Sequence, residues 1–193
     1  ILIVRNSEYR PKFSWLLGSV LIFTFIMGIA DVFAVNPSKA LWSNFERMEG
    51  FIALVHFALY FVVASSVFHT MKKWVSYFYT WIASSVLMCI YGTLQLAGTI
   101  TINQGGVRVD GTFGNANYLA VFLMFNIFFG LFLFLRSEQK KKLAWIIAPI
   151  TLYELIILYF TATRGSILGL IGGLFVAVTL TSFCLLYTSD AAD

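Results

Sequence analysis

Residues 118–135 read YLAVFLMFNIFFGLFLFL, and none of these positions carries a charge. An α-helix needs about 20 predominantly apolar residues to cross the hydrocarbon core of a bilayer. The run is continuous and lacks an alternation of period two, so it does not read as a membrane β-strand. Five more runs of the same kind surround it, at roughly 14–30, 51–68, 74–97, 143–161 and 166–183. The pattern predicts an all-α fold, a polytopic membrane helix bundle with about six transmembrane helices.

Composition agrees with that reading. Of 193 residues 60% are hydrophobic, 18% aromatic and only 11% charged. A soluble domain carries about 25% charged residues, which argues against a soluble enzyme or a nucleic-acid binder. Disorder is excluded as well, because 20 Phe, 9 Tyr and 5 Trp would leave too much apolar surface in water. The net charge of +4 collects in short clusters between the apolar runs.

The chain opens on Ile1, with no charged leader followed by a short apolar stretch and a small-residue cleavage site. At the other end, residues 184–193, CLLYTSDAAD, abandon the preceding pattern and resemble the translation of a transposase-type sequencing adapter. Residues 1–183 are therefore read as one transmembrane helical domain, a fragment at both ends, and 184–193 as foreign to it. With Cys184 set aside, only Cys89 remains, deep in an apolar run. That leaves neither a disulfide framework nor a thiolate metal site.

Orientation follows from Lys and Arg in the short loops. With the N-terminus inside, the cytoplasmic side receives Arg5, Arg10, Lys12, Lys72, Lys73, Arg136, Lys140, Lys141 and Lys142. The outer side receives only Lys39, Arg47, Arg108 and Arg164. The positive-inside rule favours this N-inside arrangement. The outer loops, 31–50 and 98–117, are also the longer ones and richer in Gly, Asn and Pro, so any chemistry is expected on that face.

Three outer segments carry the candidates. In YFTATRGS, residues 159–166, Arg164 sits at or just inside the interface, where a cation is costly unless it snorkels or meets an anion. Gly165 is expected to permit the tight turn there, and Ser166 to cap the sixth span. In GGVRVDGTFGNANY, residues 105–118, glycines allow close backbone approach, and Asn115 or Asn117 suits the cap of the fourth span. A capped helix N-terminus at a membrane surface attracts anions. In LWSNFERMEG, residues 41–50, Trp42 and Phe45 stand three apart, as on one face of a short interfacial helix, with Arg47 between Glu46 and Glu49. Each segment has a plainer reading: an interfacial anchor, a glycine-rich turn, a weak surface ion pair. Taken together, topology puts Arg47, Arg108 and Arg164 on one side near three helix ends. Arginine suits bidentate phosphate recognition, and three converging would suit a pyrophosphate better than lipid anchoring.

Other polar residues rank lower. His56 inside the second span reads as a proton acceptor or an interhelical hydrogen-bond partner. His69 falls on the cytoplasmic side. Glu154 is the carboxylate inside a span, a functional candidate by default, with no partner evident from sequence. Pro149 in the same run is expected to kink it. No His/Cys/Asp spacing suits a metal, and neither a P-loop nor a serine-nucleophile elbow is present.

The string GTFGNANYLA opening the fourth span, with Arg108 before it, and TATRGS at the fifth-to-sixth junction resemble the O-antigen ligase/polymerase family of bacterial membrane glycosyltransferases. WSNFERMEGF, before the second span, looks like a recurrent element of one branch. The resemblance covers roughly residues 36–183. It implies a metal-independent, cofactor-free transferase in the bacterial inner membrane, its N-terminus cytoplasmic and its active face periplasmic. The donor would be an undecaprenyl-pyrophosphate-linked glycan. The acceptor would be lipid A core, a protein or a growing polysaccharide, with membrane lipid around it and no nucleic acid. It implies pyrophosphate binding by Arg164 and Arg108, and by Arg47, with Asn115 and Asn117 beside them, and it puts the acceptor-activating histidine beyond residue 183. The alternative is a transporter or flippase fragment for lipid-linked glycans, against which no internal repeat is visible.

Overall fold

The computed structural model describes residues 9–11, 13–44, 49–103 and 106–189. The described residues form seven α-helices and no strand. Five of the helices are long and apolar enough to cross a membrane, and Phe51–Val67 is a shorter apolar helix of 17 residues. At 1.5 Å per residue it spans about 25 Å, the lower end of what a bilayer core requires. The chain is an all-helical, multi-pass membrane protein, as the apolar runs predict. Its large side chains face outward in a way water would not tolerate, Trp15 at 86% and Phe175 at 71% exposure. The chain divides into two compact units, residues 1–74 and 75–193.

In the first unit, α1 (Trp15–Val32) begins at Ser14, whose side chain accepts from the Leu17 amide at 3.1 Å. The short α2 (Pro37–Trp42) has Asn36 as its cap and Pro37 in its first turn, where a missing N–H costs nothing. It ends at Ser43, whose φ is 62°, so the expected short helix has Trp42 as its last residue. Phe45 lies outside the described residues. In α3 (Phe51–Val67), Phe51 fills the space over Gly28 of α1, where a Cβ would stand 2.8 Å from the ring. His56 is exposed, and its Nδ1 lies 2.7 Å from the Ile52 carbonyl of its own helix. Among the described residues it makes no interhelical bond of the kind expected. The longer α4 (Met71–Leu96) starts in this unit and continues into the second.

In the second unit, α5 (Ala116–Arg136) is the central element, with α6 (Lys140–Phe160) and α7 (Arg164–Ser189) packed on it. Its buried residues Leu119, Ala120, Leu123, Asn126, Ile127, Gly130 and Leu133 recur at three- and four-residue steps, so one helical stripe faces the core. Cys89 from α4, Ile157 and Leu158 from α6 and Leu170 from α7 close over that stripe. Small residues set the closest approaches. Gly130 meets Ile147 and Thr151 of α6, and Gly92 meets Val109 and Ile157, each too tight for an added methyl without movement. Aromatic rings join α4 to α5, Phe78 stacking on Phe129 at 4.6 Å and Trp81 beside Phe122 at 5.4 Å. Pro149 lies inside α6, which runs unbroken through it.

Candidate functional site

One end of the second unit gathers the C-termini of α4 and α6, the N-termini of α5 and α7, and the segment between α4 and α5. The basic residues Arg136 and Lys140–Lys142 belong to the opposite end. Val109, Asp110 and Gly111 of the connecting segment are buried, and the reason is a set of polar clamps. Gln95, in the last turn of α4 and 3% exposed, makes three of them. Its Nε2 donates to Asp110 Oδ1 at 2.7 Å and to the Thr101 carbonyl at 3.2 Å, and its Oε1 accepts from the Gly111 amide at 2.9 Å. Asp110, 0% exposed, also accepts from the Asn103 amide at 2.9 Å through Oδ2. Gly111 is left-handed at φ +60°, so the backbone selects glycine, and a Cβ there would displace only the mobile methyl end of Met88. On the other side, the Val109 amide donates to the Phe160 carbonyl at the end of α6.

These clamps deliver Arg108. Its Nε donates to the Thr161 carbonyl at 2.9 Å, and its Nη2 to Asn117 Oδ1 and Thr163 Oγ1, both at 3.0 Å. The guanidinium is thus seated over the C-terminus of α6, where a cation is favoured, and between the starts of α5 and α7. A guanidinium carries five N–H donors. Those on Nη1 have no partner among the described residues. Asn117 Oδ1 also accepts from Thr163 Oγ1 at 3.4 Å, closing a ring of Arg108, Asn117 and Thr163.

Asn115, rather than Asn117, caps α5, its side chain accepting from the Asn117 amide at 2.8 Å. Asn117 is left free to hold Arg108. Arg164, the first residue of α7, is exposed and adjacent in sequence to Thr163. Arg108 and Arg164 therefore belong to one end of one unit, whereas Arg47 lies outside the described residues. Two expectations at this junction are corrected. The left-handed residue of the turn is Ala162 at φ 50°, not Gly165, which lies within α7. Ser166 is not the cap, because the helix starts two residues earlier and Ser166 is buried in its first turn.

Sequence reading missed Gln95, Asp110, Thr161 and Thr163. Gln95 offered a signal, as an amide at the end of an apolar span that has to find partners. The carbonyl of Thr161 offered none, since any residue would supply it. Glu154 does have a partner, the Ser85 hydroxyl of α4. Among the described residues no group of three or more His, Cys, Asp or Glu is placed to hold a metal ion.

No protein-family model, curated protein or solved structure matches this chain.

Proposed function

We propose that this chain is the donor-binding part of a membrane glycosyltransferase similar to the O-antigen ligases and polymerases, holding the pyrophosphate of an undecaprenyl-pyrophosphate-linked glycan at the outer face of the bacterial inner membrane. The observation that carries the reading is the Arg108 guanidinium, immobilised by three acceptors between two helix N-termini with Nη1 unused. Helix N-termini and a fixed guanidinium both favour an anion, and seating the cation beforehand removes the cost of ordering it on binding. Arg164, exposed at the start of α7 and next in sequence to Thr163, supplies a second cation at the same end. In the transfer, an acceptor hydroxyl attacks the anomeric carbon and the glycan's bond to the pyrophosphate breaks. The leaving polyprenyl pyrophosphate gains charge, and pre-placed donors stabilise charge developing there. The acceptor, whether lipid A core, protein or polysaccharide, is chosen elsewhere, and no base is assigned among these residues.

The test is binding of labelled undecaprenyl pyrophosphate to the purified chain in nanodiscs. Arg164→Ala removes an exposed side chain without disturbing the clamps and is expected to weaken binding about tenfold, as loss of a charge-assisted contact does. Arg108→Lys keeps the charge but loses the fork that reaches three acceptors, and is expected to weaken it at least as much. Wild-type affinity in both variants would overturn the proposal.

One observation favours the second reading, a transporter or flippase of lipid-linked glycans: the buried Glu154 beside Ser85 within the helices. Movement of a labelled lipid-linked glycan across proteoliposomes, unaffected by Arg164→Ala, would move that reading ahead.

A further inference from the structure

Away from the arginine end, three polar side chains are buried within the second unit. Ser85 of α4 and Asn126 of α5 are both 0% exposed, and Glu154 of α6 is 1% exposed. Ser85 touches Glu154 directly. The helix register brings Asn126 to the same level. Gly130 of α5 faces Ile147 and Thr151 of the antiparallel α6. One turn from Gly130 toward the start of α5 is Asn126, and the matching advance along α6, about 6 Å at 1.5 Å per residue, moves the facing level from between residues 147 and 151 to between 151 and 155, which includes Glu154.

The hydrogens in this layer do not balance if Glu154 is an anion. The Ser85 oxygen lies 2.9 Å from the Ile82 carbonyl, which the α4 ladder already supplies with an amide hydrogen, and also against Glu154 Oε1, so its one hydrogen is shared between them. Asn126 donates through Nδ2 to the Phe122 carbonyl at 2.9 Å, while its Oδ1 is buried with no hydrogen-bond partner. Buried acceptors without donors are uncommon, and each is costly. Nor is there a counter-cation, since residues 75–95, 118–135, 143–160 and 165–182 contain no Lys, Arg or His. Of the titratable groups that face Glu154, α4 offers the Cys89 thiol, one turn from Ser85. On its own helix stands Tyr153, whose hydroxyl is 2.6 Å from Thr93 Oγ1, and α5 and α7 present none there. An unpaired carboxylate in such a place is strongly disfavoured.

We propose that Ser85, Asn126 and Glu154 form a membrane-embedded proton-binding site. A hydrogen ion adds to a Glu154 carboxylate oxygen, forming one O–H bond and breaking none. Placed on Oε1, that hydrogen is donated to Ser85, which is released to donate to Ile82; placed on Oε2, it is the hydrogen available for the level of Asn126. The site does not depend on what binds at the arginine end, and a small monovalent cation is the competing occupant.

Infrared difference spectroscopy of the purified chain in lipid tests the proposal. The carbonyl stretch of a buried carboxylic acid is expected in the wild type and lost in Glu154→Gln, which keeps shape and one donor. In Ser85→Ala and in Asn126→Leu the band is expected to persist but shift in frequency, a change that mere packing would not produce. These two variants keep the test open should Glu154→Gln fail to fold. A carboxylate signature for Glu154, or stabilisation by sodium over potassium chloride that Glu154→Gln abolishes, would overturn the proton assignment.

Discussion

Replacing Gln95 by Ala tests whether the segment 98–114 is held by the clamps rather than by its contacts with lipid or solvent. The substitution removes the 2.7 Å bond to the Asp110 carboxylate and the 3.2 Å bond to the Thr101 carbonyl. It also leaves the buried Gly111 amide without its acceptor. A bond to a charged group contributes about 1.5–3 kcal/mol, a neutral one about 0.5–1.5, and an orphaned buried amide costs about 1–3. Water reaching the opened helix end offsets part of the sum, so a loss of about 3–5 kcal/mol is expected. That corresponds to a folding equilibrium weakened on the order of a hundredfold or more. Reversible unfolding by SDS in mixed micelles measures it, and limited proteolysis within 98–108 reports whether the segment is released. A stability change below about 0.5 kcal/mol with unaltered cleavage would refute the reasoning, because additive loss from buried bonds is its basis.

Three further outcomes are expected. Ala162→Gly relieves a left-handed alanine at φ 50°; since that conformation costs an L-residue about 1–2 kcal/mol and glycine's added chain entropy takes back roughly half, a gain of about 0.5–1 kcal/mol should appear in the same SDS titration. Asn115→Ala removes the cap bond to the Asn117 amide and should cost about 1 kcal/mol, whereas Asn115→Ser should restore most of it. With Cys89 and Cys184 replaced by Ala, Thr112→Cys should react with an impermeant maleimide from outside intact cells, and Ser137→Cys only after permeabilisation; the reverse pattern would invert the assumed orientation and with it the face assigned to the arginines.

Helix existence was legible in the sequence because burial in lipid demands long uninterrupted apolar runs, which composition alone displays. Boundaries were less so. The run 143–161 becomes Lys140–Phe160 and the run 166–183 begins at Arg164, because a helix continues through charged residues whose backbone bonds it can still satisfy. The arginine end was half visible. Arg108, Asn117 and Arg164 stood out as polar residues at span ends, and Asn115 as a cap. What joins them did not, because Arg108 is held by a main-chain carbonyl and by Thr163, more than fifty positions away. A still longer separation, 69 positions, hid Ser85 from Glu154.

The two polar groupings differ in a way that bears on function. Around Arg108 every buried hydrogen-bonding atom described has a partner, and the unspent capacity, the Nη1 donors, belongs to a half-buried side chain at the edge of the apolar spans. Around Glu154 the imbalance is inside: Asn126 Oδ1 is buried without a hydrogen-bond partner, and one Ser85 hydroxyl is shared between two acceptors. A fold that only needed stability would fill that level with leucine, since replacing a buried polar group and its partners by apolar ones of similar shape is often neutral or favourable. Retaining a carboxyl, a hydroxyl and an amide there, with the amide oxygen unpaired, is intelligible if the layer exchanges something small. Spare donors at Arg108 and a spare acceptor at Asn126 fit the two proposals, an anion at Arg108 and a hydrogen ion at Glu154. Both groupings also bear on α6, whose last turn presents the Thr161 carbonyl to Arg108 about two turns beyond Glu154. If the two sites communicate, they do so along that helix, and Glu154→Gln should then alter polyprenyl pyrophosphate binding only in step with a change at Arg108. Unchanged binding in Glu154→Gln, alongside loss of its carboxylic acid band, would show two independent sites in one helical unit.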